Sequence, residues 1–301
     1  MIGVKNPNAA IPIVLLAGLF WSFGPYVVRN IDQANTVPWQ YLFTRGLVIF
    51  ILLNVYLYLS EGLNFYKNYM SVGISGLLGG TGLAIAMISF IWSITNTTAA
   101  VTLLCLASMP FITALLGFLF LNEKITLSVW LSIIVACVGI VIMAIGNYNQ
   151  TSLAGLLFGL TSALGFAIFS VSLRWRKETP KFTTVSIAGL LCALFSTIMI
   201  LNKDLSFLST SKNQALFSVH GCLVCFGLIL YSIGSKSIPA AELTLLSLTE
   251  VVGGIFWVWL PLFGINEVPS TNTIIGGFFL FVSIFYYSLI MRWNKRYIAL
   301  N

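Results

Sequence analysis

Apolar residues run along this chain in ten long stretches, separated by short polar or Pro/Gly punctuation. The stretches fall at about 11–29, 38–59, 70–93, 97–121, 126–146, 152–173, 182–201, 214–234, 239–262 and 272–292. Each is near or above the ~20 residues a helix needs to cross the hydrocarbon of a bilayer. The connections are short. The longest, Asn202 to Asn213, is polar, with Lys203, Asp204, Ser209, Thr210 and Lys212, and is too short to house a soluble domain. The pattern predicts an all-α integral membrane protein with ten transmembrane helices.

Composition strengthens that reading. Of 301 residues, 58% are hydrophobic and 8% charged, and the mean hydropathy is +0.98. A soluble domain carries roughly a quarter charged residues, so this chain cannot clothe a water-facing surface. A net charge of +7 would suit a nucleic-acid partner, but no basic face exists to bind one. The basic residues lie mostly in short loops, where they set membrane orientation. With the N-terminus cytoplasmic, the inward loops hold Lys5, Glu61, Lys67, Glu123, Lys124, Arg174, Arg176, Lys177, Glu178, Lys181, Lys236, Arg292, Lys295 and Arg296, a net of +8. The outward loops hold Arg29, Asp32, Lys203, Asp204, Lys212 and Glu267, a net of zero. Both termini are therefore expected in the cytoplasm. The apolar run after Lys5 is too long for a cleavable signal and is followed by no small-residue cleavage site. The five cysteines fall inside apolar runs, and Cys222 and Cys225 sit mid-helix with a single histidine in the chain, which favours buried small residues over a metal or redox pair.

The chain also resembles itself. Leu15-Leu16-Ala17-Gly18-Leu19, with Gly24 following, is similar to Leu156-Leu157-Phe158-Gly159-Leu160, with Gly165 following. The same shift of 141 residues carries Ala99-Ala100 onto Ala240-Ala241 and Phe90 onto Tyr231, and Asn122-Glu123 answers Asn266-Glu267 after about three extra residues near Pro261. Two halves follow, 8–147 with helices 1–5 and 151–293 with helices 6–10. Because five is odd, the second half enters the membrane from the opposite side. That is the inverted repeat of many alternating-access carriers.

Several stretches resemble the drug/metabolite transporter superfamily, in its ten-helix group with two EamA-type repeats. Leu16-Ala17-Gly18-Leu19-Phe20-Trp21-Ser22 is similar to the family's first helix, and Pro38 through Arg45-Gly46 to its second, where an arginine lies just inside the membrane. Ala99 through Pro110, Leu121-Asn122-Glu123 and Gly139 resemble the signature of helices 4 and 5. Ala240-Ala241-Glu242, Glu250, Asn266-Glu267 and Gly276 repeat it in the second half, with Val251 where the family often has proline. The resemblance implies a carrier or exporter of small organic metabolites, with no cofactor, no metal site and no nucleic-acid partner.

Ionisable groups inside a bilayer are costly and therefore informative. Three qualify. Arg45 lies about 10 Å into its helix from the outer side at 1.5 Å per residue. It can contact an anionic group on a solute, pair with Glu250, or hold helix ends together; the resemblance favours a structural or gating role. Glu250 is near the middle of its helix, on a face shared with Leu243, Ser247, Gly254 and Trp257. The 141 shift sets it against Met109, on a stripe with Thr98, Thr102 and Cys105. Glu250 is read either as a binding or proton-coupling group or as a buried acid satisfied by hydroxyls or Arg45. Glu242 reads as a first-turn partner of the helix dipole, and Glu123 and Glu267 as helix-end contacts; all three join Arg45 as structural or gating residues.

His220 shares a face with Gly227 and Tyr231 and is either a proton relay or an interface residue. Trp21, Tyr26, Trp92 and Trp257 are candidate cavity aromatics. Thr102, Cys105, Met109, His220, Tyr231, Ser247 and Glu250 complete the expected cavity. The function expected is a secondary transporter, an exporter or exchanger of a small organic metabolite such as an amino acid or related amphiphile. Its setting is the bilayer of the cell (inner) membrane, with protons as the coupling ion and a monomeric or weakly dimeric state. The rival is a membrane-embedded enzyme acting on a lipid or lipid-linked substrate, but the spans contain one histidine, no aspartate and no paired carboxylates to carry such chemistry.

Overall fold

The structure, a computed structural model, describes residues 7–122, 127–146, 152–176 and 178–300. Glu123 falls outside this set, as do Lys5, Lys124 and Lys177. Among the described residues every regular element is helical. The long helices are α1 (Pro7–Arg29), α2 (Pro38–Glu61), α4 (Gly73–Asn96), α7 (Leu127–Gly146), α8 (Leu153–Trp175), α9 (Lys181–Asn202), α10 (Ser211–Gly234) and α13 (Thr271–Leu300). A short α3 (Tyr66–Met70) links α2 to α4. Among the described residues eight helical stretches, with Ala99–Leu121 and Ala240–Trp259 each taken whole, are long and apolar enough to cross a membrane, and Trp130–Ile142 in α7 and Thr271–Ser283 in α13 are two shorter apolar segments.

Two stretches expected to be continuous helices are broken. The fourth is divided into α5 (Ala99–Leu106) and α6 (Met109–Leu121), and the ninth into α11 (Ala240–Leu246) and α12 (Thr249–Trp259). Pro110 lies at the start of α6. Its missing N–H and fixed φ suit the first turn of a new helix better than the interior of an old one. No proline marks the second break. There Ser247 donates its hydroxyl to Thr244 O at 2.7 Å, and the Glu250 and Val251 amides bond back only three residues, at 2.9 Å each. At the first break the Ser108 hydroxyl donates to Cys105 O at 2.6 Å. In both, a serine competes with the backbone for a carbonyl and tightens the turn.

The helices pack in corresponding pairs. α4 lies along α8 as α10 lies along α1; α4 touches α9 as α10 touches α2. α1 runs beside α12, and α8 beside α6. α11 packs on α6 and α5 on α12, so the broken helices cross at their breaks. Two glycines allow the close approach. A Cβ on Gly18 of α1 would meet Ser247 O at 2.8 Å, and one on Gly159 of α8 would meet Cys105 Cβ at 2.7 Å.

Lipid hydrocarbon is as apolar as leucine, so the hydrophobic effect does not drive these helices together. Small residues and buried hydroxyls do part of that work instead: Ser75 with Thr179 at 2.6 Å, Ser93 with Thr102 at 2.9 Å, and Ser162 donating to Ala86 O at 2.9 Å. The outside is clothed in exposed apolar side chains such as Leu59, Ile74, Leu119, Ile134, Leu157 and Phe278. On a water-facing protein such a surface would aggregate; in hydrocarbon it is the required one.

Candidate functional site

Where the broken helices meet, the molecule has a partly open cavity with about 550 Å³ of empty space, its solvent-facing mouth included. Its wall draws on α1 (Trp21), α2 (Arg45), α4 (Leu83, Met87, Phe90), α5 and α6 (Leu106, Met109), α8 (Ser162, Phe166), α10 (His220, Val224) and α12 (Glu250). Most of that lining is apolar or aromatic, with Arg45, His220 and Glu250 as its ionisable groups.

Arg45 is buried. It donates from Nη2 to Met87 O at 2.8 Å, lies 5.7 Å over the Tyr41 ring, and leaves its buried Nε without an acceptor. One helical turn earlier, Tyr41 shares a hydrogen bond with His220 Nδ1 and stacks on Phe217 at 4.8 Å. Glu250 enters from α12 across the cavity, in the first turn after the break. It interacts electrostatically with Arg45, but the two do not form an ion pair. Met109 begins α6 as Glu250 begins α12.

The predicted cavity residues divide. Trp21, Met109, His220 and Glu250 line the cavity, and Arg45 joins them. The Trp21 indole N–H donates to Val224 O at 3.3 Å and meets the ring of Phe166 edge-on at 5.5 Å. Seven others are placed elsewhere. Tyr231 is buried one layer behind Trp21, bonded to the Ser170 hydroxyl at 2.6 Å. Thr102 faces Ser93, and Cys105 packs against α8 near Leu156 O. The Ser247 hydroxyl is turned onto its own helix. Trp92 packs between Trp39 and Phe158. Trp257 donates to Ser22 Oγ at 2.9 Å and stacks on Phe23 at 4.8 Å, and Tyr26 meets Phe263 edge-on. For Thr102, Cys105, Ser247 and Trp257 the pair of breaks is the reason. A stripe drawn through a continuous helix loses its register at 107–108 and 247–248, so residues before and after each break face different neighbours.

Sequence reasoning missed Tyr41, whose spacing of four from Arg45 was visible, and the apolar wall of Leu83, Met87, Phe90 and Phe166. It also missed Arg29. At the end of α1 the Arg29 guanidinium donates to Glu267 Oε2 at 2.8 Å, Ile94 O at 2.9 Å and Thr97 O at 3.0 Å. The other Glu267 oxygen accepts the Ala99 amide at the start of α5, at 2.8 Å. One ion pair thus joins α1, α4, α5 and the segment before α13. At the opposite end Arg174 donates to Ile238 O at 2.6 Å and Lys181 to Ser235 Oγ at 2.7 Å. Glu242 is buried nearby in the first turn of α11.

Comparison with known proteins finds a family similarity in the first part of the chain. The model of the EamA-like transporter family matches residues 8–145, the first half of the chain. Over those residues the chain is similar to that family. It is a multi-pass integral membrane protein with the composition and family features of a transporter. A solved structure titled only "Crystal structure of protein" is similar in fold, with a TM-score of 0.71 at 16% identity, over 95% of this chain and 98% of its own. No curated protein matches the sequence.

Proposed function

We propose that this EamA-like protein is a secondary transporter, an exporter or exchanger of a small organic metabolite such as an amino acid or related amphiphile. Transport proceeds by alternating access to the cavity at the crossing of the broken helices. The observation that carries the reading is that crossing. In carriers built from inverted repeats, interrupted helices at corresponding positions of the two halves mark the solute site. Here the breaks at 107–108 and 247–248 correspond to within one residue of the repeat shift, and the ionisable groups described on the wall, Arg45, His220 and Glu250, line the cavity beside them.

Three further facts support two inverted halves of five spans each, ten in all, over 8–147 and 151–293. The helix packing pairs are exchanged by the 141-residue shift. Asn122 and Asn266, matched in sequence, both adopt left-handed backbone, with φ of 54° and 51°. Thr97 O and Ile238 O, also 141 apart, each accept a guanidinium N–H, from Arg29 and Arg174. The loop charges put the Arg174 end and both termini in the cytoplasm. Arg29 with Glu267 then acts as the outer gate, closed here, and Glu242 belongs to the inner one.

Protons are the proposed coupling ions, with Glu250 as the group that exchanges one. A carboxylate facing a cavity across from a fixed guanidinium can trade a proton for a cationic group on the solute. A lipid-processing enzyme is less well supported, since among the described residues this wall brings together one carboxylate and one histidine bound to a tyrosine, with no second acid, and its one hydroxyl, Ser162, is turned onto Ala86 O. The test is a counterflow screen in proteoliposomes, with amino acids, nucleosides, S-adenosylmethionine and cationic dyes. Accumulation of one class driven by its own gradient is the expected outcome; folded protein that moves no solute would sink the reading.

A further inference from the structure

We infer that the cavity selects zwitterions: solutes carrying an ammonium and a carboxylate on one small apolar body, with the ammonium at Glu250 and the carboxylate at Arg45. The assignment rests on the carrier reading above and names its substrate class.

Two ionisable groups on the cavity wall, Arg45 and Glu250, do not meet. A guanidinium and a carboxylate inside a bilayer each carry a large desolvation cost, and direct pairing is the usual way to offset it. Arg45 and Glu250 line the same cavity without forming that pair. Arg45 is held away. Its Nη2 is committed to Met87 O on α4, and its plane lies over Tyr41, itself fixed by His220 and Phe217. A guanidinium has five N–H donors, and among the described residues only Met87 O takes one from Arg45. Glu250 is fixed from the other side. It sits in the first turn of α12, where the break and the close passage of Gly18 past Ser247 O and Glu250 N set the backbone. Among the described residues its carboxylate accepts no hydrogen bond.

A carboxylate in the first turn of a helix offsets the helix dipole whatever the solute. That role does not call for an unpaired guanidinium across the same cavity. A cation would satisfy Glu250 and be repelled by Arg45; an anion would meet the reverse. A zwitterion satisfies both and brings no net charge into the membrane. The same wall holds Trp21, Met87, Phe90, Met109 and Phe166, which suit an apolar side chain rather than a sugar or a second charge.

The test uses the purified full-length protein and one side chain with its charges removed in turn: phenylalanine, phenylalaninamide and N-acetylphenylalanine, with the leucine series alongside. Binding is read by tryptophan fluorescence, since Trp21 is on the wall, and by thermal stabilisation. The zwitterion should bind about ten- to a hundredfold more tightly than either derivative, the size of one lost charge-assisted contact. In Glu250→Gln the advantage of phenylalanine over the N-acetyl form should vanish. In Arg45→Gln its advantage over the amide should vanish. If Arg45→Gln does not fold, Arg45→Lys keeps the charge but not the planar fork, and should narrow the same ratio.

Equal binding of the amide and the zwitterion to the unmodified protein would overturn the assignment, as would variants that weaken all three ligands alike. A protein that moves other solutes by counterflow yet binds neither series also overturns it, while leaving the carrier reading intact. Folded protein that neither moves nor binds any of them overturns both.

Discussion

Tyr41 on α2 and His220 on α10 share a hydrogen bond between the phenol oxygen and Nδ1, in a fully buried layer against the wall of the cavity. The contact fixes the imidazole, so its other nitrogen, Nε2, turns towards Gly24. Tyr41→Phe would leave a buried ring nitrogen without its partner, at a cost of about 1–3 kcal/mol. The expected result is a lower melting temperature for Tyr41→Phe, with little further loss on adding His220→Phe, because the bond is already gone. Additive losses in a double-mutant cycle would show that the two residues are not coupled.

The Arg29–Glu267 pair ties four segments at one end of the molecule, so cutting it should loosen that end selectively. In a cysteine-free background with Phe90→Cys on the cavity wall, Arg29→Ala should speed labelling by a membrane-impermeant thiol reagent added on the side of Arg29. Glu267→Gln should act in the same direction, since it loses the charge that holds both Arg29 and the Ala99 amide. Unchanged labelling in both would remove this pair from the proposed gate.

Gly18 and Gly159 each pass a helix break at contact distance. A methyl at 18 would strike the backbone at Ser247 O, which cannot rotate away, whereas one at 159 would strike the Cys105 side chain. Overpacking of this kind costs about 1–3 kcal/mol. Gly18→Ala should therefore lower thermal stability and transport more than Gly159→Ala, and the double change Gly159→Ala with Cys105→Gly, which removes the Cβ in the way, should recover part of the loss. Equal effects at the two positions would contradict the asymmetry.

Trp21 lines the cavity, whereas Trp257 stacks on Phe23 outside it. Trp21→Ala should raise KM for the transported solute several-fold. Trp257→Phe, which loses one hydrogen bond to Ser22 and keeps the stack, should leave KM unchanged. A KM shift confined to Trp257→Phe would reverse the placement of the site.

The membrane class, the helical stretches and their approximate ends are written locally in the sequence, because length and hydropathy alone decide whether a segment can cross hydrocarbon. So is the direction of insertion expected from the loop charges, and so is the 141-residue self-similarity. Glu250 stood out for the same reason: a charge in an apolar run is costly wherever the helix goes.

What surrounds Glu250 was not legible. The breaks at 107–108 and 247–248 depend on serine hydroxyls bonding to carbonyls three residues back, and on glycines of other helices that leave room for the turn. A periodicity drawn through an unbroken helix therefore sets Thr102 and Cys105 on one stripe and Ser247 and Trp257 on another, whereas in the structure they face Ser93, α8, α11 and Ser22 respectively. The Tyr41–His220 contact spans 179 residues and the Arg29–Glu267 pair 238. Such partners are set by helix packing, and no local pattern encodes them. The sequence determined that charged groups lie inside the membrane; only the tertiary structure decided that Arg45 and Glu250 face one cavity without touching, because each is held by neighbours distant in the chain.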